Sequence, residues 1–192
     1  VIVPRAALSE LSRIISQVET DENTTLDIVI TPTSSQILFQ MRDTDPNVDL
    51  VSQLIEGRFP DYKAIIPTSH NTRLIVDTAV MLEAVRVAYL FARESANIVK
   101  LTVRPGSDLT PGTMTVQAAS TEHGDDVSEL QVLVEGEPIE ISFNAKYLLD
   151  VLTAMDEPEV VIETTVPSRP GKLRPRNDDS FLCVIMPMHL TR

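Results

Sequence analysis

The same short plan occurs three times in the chain: one apolar segment, one helical stretch, and then three more apolar segments. The opening segments VIVP, RLIV and IEISF are each predicted to be a strand, and they run into helical stretches at residues 4–18, 77–93 and 144–155. The repeats begin about seventy residues apart, a spacing that indicates a repeat architecture. A chain of repeated units usually presents an extended surface instead of one catalytic cleft. The repeat therefore favours a binding protein over an enzyme.

The segments after each helical stretch alternate β-branched or apolar residues with polar ones, a pattern that predicts strands. The predicted strands are 26–31, 36–42, 48–54, 98–103, 113–119, 127–134, 160–165, 173–174 and 181–186. Repeated helix-plus-meander units predict an α+β fold whose antiparallel sheets are packed on one side by helices. The second and third repeats are joined by the tight EGEP turn, and we expect them to form one pseudo-symmetric domain. The linker at 57–71 marks a domain boundary before them. The first unit then stands as half of a similar domain.

Charge and composition narrow the function classes. A formal net charge of −12 argues against nucleic acid unless a local basic stripe survives in an acidic protein. The chain has no apolar run long enough to span a membrane, and its one cysteine, Cys183, fits a reducing cytoplasm, so we expect a cytoplasmic protein. It begins without Met inside what reads as a strand, so we expect it to be a piece of something longer.

The catalytic inventory is thin. His70, His123 and His189 are far apart, and none lies at metal-ligand spacing from another ligand. Cys183 lies in an apolar segment without a basic neighbour, so we expect a buried, inert thiol. The acidic pairs at 125–126 and 178–179 are interpreted as solvated turns, and no glycine-rich loop opens a helix. We therefore predict no catalytic residue, no metal and no cofactor.

Two features remain. The helical stretches carry Arg5, Arg13, Arg86, Arg93 and Lys146, which form either an ordinary solvated face or a surface for a phosphate backbone. The terminal run VIMPMHL, residues 184–190, is either a frayed core strand or an adaptable Met-rich surface for peptides. Because Pro187 stops the strand ladder, Met188 and Leu190 are expected on the surface.

Four motifs carry a resemblance to a known family: VIVPR at 1–5, LIEGRFPDY at 54–62, FNAKYLLDVL at 143–152 and VIMPMHL at 184–190. In this order they resemble the bacterial DNA sliding clamp, the beta subunit of DNA polymerase III. The resemblance implies the DNA clamp fold, with antiparallel sheets outside, helices inside, and three domains of two units each. On that plan, residues 1–62 are the second half of the middle domain and residues 63–192 are a complete third domain. The implied function is that of a non-catalytic processivity factor, in which two subunits close into a ring around duplex DNA.

The resemblance also assigns roles to residues. The helices would turn Arg5, Arg13, Arg86, Arg93 and Lys146 toward DNA. A pocket would bind short peptides, carrying a Gln and a terminal apolar pair, from the polymerase III alpha subunit, the clamp loader and repair polymerases. Its residues would be Pro60, Tyr62, Ile65, Asn144, Tyr147, Ser168, Pro170, Val184, Ile185, Met186, Pro187, Met188, His189 and Leu190. The homodimer joint would use Tyr89, Leu90, Glu122, Asp125, Asp126 and Glu129. Ala64 departs from the pattern, because many relatives carry Arg at this position.

Two other readings stay open. One is a stand-alone, truncated module that docks clamp-binding peptides or partner chains without encircling DNA. The other is an unrelated small enzyme, which would need a pocket with convergent titratable groups.

Overall fold

The computed structural model describes residues 1–19, 21–42, 44, 46–107, 110–120 and 124–188. The chain divides between Asp61 and Tyr62 into two units, Val1–Asp61 and Tyr62–Arg192. The first unit contains one repeat of the plan and the second contains two. In both units the helices lie beside antiparallel strands, so the α+β class predicted from the sequence is confirmed.

The first unit is a helix, α1 (Arg5–Ile15), with a three-stranded sheet. Its strands are β1 (Asp27–Ile30), β2 (Gln36–Met41) and β3 (Val48–Gln53), paired antiparallel in that order. The buried cluster consists of Leu11 from the helix with Ile37 and Phe39 from β2. This small core holds one face of the sheet against one stripe of the helix.

The opening segment VIVP is not a strand, contrary to the sequence prediction. Ile2 does accept a hydrogen bond from the Ile55 N–H at 2.9 Å, but no ladder follows from it. Pro4, which has no N–H, then caps the helix without a side-chain hydrogen bond. A single backbone hydrogen bond is too little pairing to define a strand.

Within its described residues, the second unit has eight strands and two α-helices. The elements are β4 (Thr72–Asp77), α2 (Thr78–Ala92), β5 (Ile98–Arg104), β6 (Gly112–Ser120), β7 (Gly124–Gly136), β8 (Ile139–Asn144), α3 (Ala145–Thr153), β9 (Glu159–Thr164), β10 (Gly171–Pro175) and β11 (Cys183–Ile185). A short 3-10 helix, Tyr62–Ile65, precedes them. The strand order is β11-β10-β9-β4-β7-β6-β5-β8, and every pairing is antiparallel.

The strand order of this sheet reflects an internal twofold relation. The first strand of each repeat pairs with the second strand of the other: β4 with β9, and β8 with β5. Within the second repeat β4 also pairs with β7. The matching link in the third repeat is one hydrogen bond, from the Met188 N–H to the Ser142 carbonyl oxygen at 2.7 Å. The two repeats thus share one sheet and one core, as their similarity in sequence predicts.

The core of the second unit lies between the sheet and the two helices. Phe143, Met81, Leu148 and Ile162 are at most 1% exposed. The helix α2 packs against α3 and against β6 and β7. At Gly171 a Cβ atom would lie 2.6 Å from the Phe143 ring, so only glycine lets that ring lie against β10. Gly136 has a φ of +98° in the turn between β7 and β8, a conformation that glycine adopts without strain.

Several strand bounds differ from the prediction. β7 begins at Gly124, so Asp125 and Asp126 lie on a strand, paired with Ala119 and Ala118, and not in a turn. β11 is shorter than predicted, and β10 is longer. β7 begins earlier than predicted because its ladder with β6 continues as far as the pair of Ser120 and Gly124.

Candidate functional site

A cleft of about 610 Å³ opens in the second unit between two short segments. Its walls are Lys63, Ala64, Ile65, Ile66, Pro67, Thr68 and Ser69 on one side and Thr165, Val166, Arg169 and Pro170 on the other. The first wall runs from the 3-10 helix toward β4, and the second is the turn between β9 and β10. The Asn71 N–H donates to the Thr164 carbonyl oxygen at 2.9 Å, which joins the segments where they enter the sheet.

The cleft contains exposed apolar side chains. Ile65 is 56% exposed and Val166 is 42% exposed. The turn that carries Val166 is closed by a hydrogen bond from the Arg169 N–H to the Val166 carbonyl oxygen, at 3.0 Å. Exposed apolar surface held in a concave, ordered setting is typical of a binding site.

The methionine run, residues 184–188 of the terminal motif VIMPMHL, begins on β11, which pairs with the strand that follows the second wall of the cleft. The register of β10 and β11 pairs Gly171 with Ile185, so Pro170 of the cleft and Met186 follow at the same end of the ladder. Met186 is 61% exposed. Met188, expected on the surface, is instead half-buried, because its backbone is bonded to Ser142 of β8. His189 and Leu190 lie outside the described residues.

The start of α3 follows directly from β8. The Asn144 Oδ1 accepts from the Lys146 N–H at 2.9 Å and caps the helix, which fixes this amide group. Tyr147, in the first turn of α3, is 57% exposed. Ser142, two residues before Asn144, accepts a hydrogen bond from the Met188 N–H through its carbonyl oxygen. This bond joins the methionine run to the strand that leads into α3, the helix of Tyr147.

The remaining residues predicted for the peptide pocket are distributed as follows. Tyr62 and Ser168 lie on the two segments that form the cleft, next in the chain to its lining residues. Val184 and Ile185 lie on β11, and Pro187 follows it. Pro60 is exposed and belongs to the first unit.

The sequence prediction missed two cations of the cleft. Lys63 and Arg169 are exposed, and neither forms an ion pair with any residue that the structure describes. None of the lining residues is acidic. The sequence does contain an indication of one of these cations, since Arg169 is the single charged residue of the segment 165–170 and lies between two prolines. With Ala64 uncharged, these two side chains supply the positive charge of the cleft.

Beside the cleft, Glu163 of β9 lies among four basic side chains. Its Oε2 is 2.6 Å from the Lys172 Nζ, and its Oε1 is 3.7 Å from the Arg73 Nε. Arg174 and His70 approach the same carboxylate at 3.8 Å and 3.9 Å. Burial alone would raise the pKa of the Glu163 carboxyl, but the Lys172 hydrogen bond and the surrounding positive charges hold that pKa below its ordinary value.

The helix cations predicted to face DNA differ in their pairing. Arg13 donates to Glu10 through Nε at 2.9 Å and also bonds Gln17, and Arg86 lies 3.1 Å from Glu83. In the described chain, Arg5, Arg93 and Lys146 are exposed without an ion pair. A glutamate three residues before each paired arginine is the sequence signal for this neutralisation. The net positive charge of the helices is therefore smaller than their five cations suggest.

The residues predicted for the subunit joint are only partly assembled. Leu90 is 53% exposed on α2, whereas Tyr89 is half-buried and packs against the core. Asp125, Asp126 and Glu129 lie along β7. Glu122 falls outside the described residues. A separate cleft of about 410 Å³ adjoins Asp125 and is lined by Ser95, Ile98, Lys100 and Ala118, among others.

The described residues contain no group of three or more His, Cys, Asp or Glu side chains placed to hold a metal ion. Cys183 is half-buried on β11, and burial raises the pKa of its thiol, so the thiol stays protonated and unreactive near neutral pH. No helix within the described ranges has both the length and the apolar character needed to cross a membrane.

Comparison with known proteins extends over nearly the whole chain. A family model described as the C-terminal domain of the DNA polymerase III beta subunit matches residues 63–189. The chain belongs to this family. The beta sliding clamps of Bacillus subtilis (strain 168) and Staphylococcus aureus (strain Mu50 / ATCC 700699) are each 35% identical to it over 190 residues, covering 98% of this chain and 46% of each clamp. The chain therefore spans about half the length of these relatives.

Solved structures of the family agree with the fold. The beta sliding clamp of C. crescentus has a TM-score of 0.82 with 30% identity, covering 98% of this chain and 46% of that one. The sliding clamp of Bartonella birtlesii, solved with bound griselimycin, has a TM-score of 0.82 with 27% identity, covering 99% of this chain and 47% of that one. The clamp fold predicted from the four motifs is confirmed.

Proposed function

We propose that the chain acts as part of a sliding clamp, a non-catalytic processivity factor of the replicative DNA polymerase. Residues 1–62 would form half of a middle domain and residues 63–192 a complete third domain. In the full ring, two subunits would surround duplex DNA in the cytoplasm. The support is the match of nearly the whole chain to beta sliding clamps, together with the repeated sheet-and-helix plan.

One observation carries the partner-binding part of this proposal: exposed Met186 lies at the same end of the β10–β11 ladder as Pro170, a lining residue of the cleft. Ile65, Val166 and Met186 offer apolar surface for the anchors of a short peptide, and Lys63 and Arg169 add charge at its edge. Apolar anchors supply most of the binding energy at such sites, and a few polar groups fix orientation. The partners would be the polymerase III alpha subunit, the clamp loader and repair polymerases.

Substitution of the exposed methionine tests the site. Met186→Ala removes a side chain that is 61% exposed, so the fold should be retained while peptide affinity falls about tenfold, a loss of about 1.4 kcal/mol. The measurement is fluorescence anisotropy with a labelled peptide that carries a Gln and a terminal Leu-Phe pair. Val127→Ala is the matched control, since Val127 is 56% exposed on β7. An unchanged affinity in Met186→Ala would place the peptide elsewhere.

The pairing of Arg13 and Arg86 with neighbouring glutamates favours a second candidate function, a peptide-docking module that does not encircle DNA. Retention on closed circular DNA, compared with the same DNA after linearisation, separates the two. A ring is retained on the circle and lost from the free ends. Equal retention on both would support the docking module.

A further inference from the structure

We propose that Glu163 is a positioning residue that holds the two walls of the cleft together and thereby sets the shape of the peptide site. The inference rests on the proposed peptide-binding function. Glu163 lies on β9, two residues before the second wall begins at Thr165. Its side chain is only 9% exposed, although it carries a charge.

The carboxylate contacts a residue that adjoins each wall. His70, which follows Ser69 at the end of the first wall, places its Nδ1 3.9 Å from the Glu163 Oε1. Lys172, two residues after Pro170 of the second wall, places its Nζ 2.6 Å from Oε2. The carboxylate therefore makes a short contact to the strand that follows the second wall and lies within ion-pair distance of Arg73 on β4, the strand that follows the first wall.

The strand register makes this arrangement specific. Glu163 is directly opposite Arg73 on β4 and directly opposite Lys172 on β10. With Arg174, three permanently charged side chains face one buried carboxylate. Removing the carboxylate would leave these partly exposed cations close together without their shared counter-charge, and their mutual repulsion would push the strands that carry them apart.

A neighbouring ion pair provides the contrast. Glu135 on β7 pairs with the same Arg73, its Oε2 lying 3.1 Å from the Arg73 NH1 group. The Glu135 side chain is 67% exposed, and Arg73 is its only ion-pair partner among the described residues. Glu135 lies on β7, which contributes no residue to either wall. Exposed pairs of this kind contribute little. Glu135→Gln therefore removes the same chemical group from the same cluster without releasing a wall.

The test measures peptide affinity in the full chain. With the Gln- and Leu-Phe-bearing peptide as the probe, Glu163→Gln should raise Kd about tenfold. Glu135→Gln should leave Kd within about twofold of the unsubstituted chain. Lys172→Met alone removes the closest contact between the carboxylate and the second wall, so it should raise Kd in the same direction. Combining it with Glu163→Gln should add little further loss, because both changes break the same contact. A general loss of fold would show in the circular dichroism spectrum.

Hydrogen exchange at the backbone amides of the two walls gives a readout that does not depend on the peptide. In Glu163→Gln these amides should exchange faster, while those of β5 and β6 remain unchanged. An unchanged Kd, or an equal effect of Glu135→Gln, would overturn the inference. If the unsubstituted chain binds no peptide, the proposed function fails. The positioning role is refuted separately if Glu163→Gln leaves the hydrogen exchange of the wall amides unchanged.

Discussion

The two units follow the same plan, but they bury their apolar residues very differently. In the first unit all four residues of β1 are exposed, including Ile28 at 58% and Val29 at 48%. In the second unit β9, the corresponding strand of the third repeat, is buried at five of its six positions, because it lies between β4 and β10. One repeat therefore encloses only a small buried cluster between its sheet and its helix, whereas two repeats together enclose an extensive core.

The helices show the same contrast. Leu8 and Leu148 occupy the same position relative to the first residue of their helices, the fourth. Leu8 is 47% exposed and Leu148 is fully buried against the opposing helix and sheet. A single unit of a repeat cannot bury its own hydrophobic face, and the partner repeat supplies the missing cover.

The largest expected consequence is a difference in stability between the units. We expect amides of β2 and β3 to exchange through openings several kcal/mol less costly than those of β4 and β9, because local stability follows buried apolar contact. Native-state hydrogen exchange with mass spectrometry measures both regions in one experiment. Uniform protection across the two units would contradict this expectation.

Core truncation should separate the units next. Phe143→Ala removes a fully buried ring in the second unit and should lower the free energy of unfolding by about 3–5 kcal/mol. Phe39→Ala, the matched change in the first unit, should cost less, since among the described residues its buried cluster contains just Leu11 and Ile37 besides Phe39, and the other apolar neighbours are only partly buried. Urea denaturation of each variant gives the two costs. Equal costs would mean that the small cluster is as well packed as the large one.

Much of this organisation follows from the sequence alone. Periodicity predicts the helices and nearly all strands, and the sequence similarity of the second and third repeats predicts that these two repeats share a sheet. The failures have physical causes. VIVP has the composition of a strand, yet it forms no ladder, and β7 is longer than its apolar stretch because it follows β6 to the end. Both results depend on pairing with other strands, which the local pattern of apolar and polar residues does not predict.

The candidate site was harder to predict. Met188 was expected on the surface because it follows Pro187, but it is half-buried. The hydrogen bond that holds it joins it to Ser142, which is far away in sequence. The Glu163 cluster was missed for the same reason. Arg73, Glu163 and Lys172 become neighbours only through the register of β4, β9 and β10.

Acid should distinguish the units through their carboxylates. Glu163 has a lowered pKa, so its stabilising contribution is complete above the pKa of an unfolded glutamate and is lost as the pH falls through the lowered, folded value. The pKa values of Glu10, through its Arg13 hydrogen bond, and Asp21, through the Asn23 N–H, are lowered too, but both groups are exposed and easily screened.

The measurement is the urea midpoint of the second unit from neutral pH down to about pH 3, below the ordinary range of glutamate. We expect Glu163→Gln to flatten the acid-side slope and 1 M salt to change it little. A slope that is identical in Glu163→Gln would assign the acid sensitivity to other carboxylates.

Helix capping should give a smaller difference. Asp77 caps α2 by accepting the Val80 N–H at 2.9 Å, whereas Pro4 caps α1 with no side-chain hydrogen bond. Asp77→Ala should therefore lower the free energy of unfolding of the second unit by about 1 kcal/mol. Pro4→Ala removes no such bond from the first unit. Thermal unfolding of both variants would show whether the cap contributes to the greater stability of the second unit.

The smallest expected effect is at the helix surfaces, where the two units are alike. Arg13 with Glu10 on α1 and Arg86 with Glu83 on α2 are ion pairs of the same spacing, and all four side chains are largely exposed. Arg13→Gln and Arg86→Gln should each leave the unfolding midpoint nearly unchanged, because water and salt screen such pairs. The measurement is urea denaturation at low and high salt. A large loss for Arg13→Gln alone would mean that the first unit depends on its surface charges to offset its small core, and the contrast between the units would then be electrostatic as well as apolar.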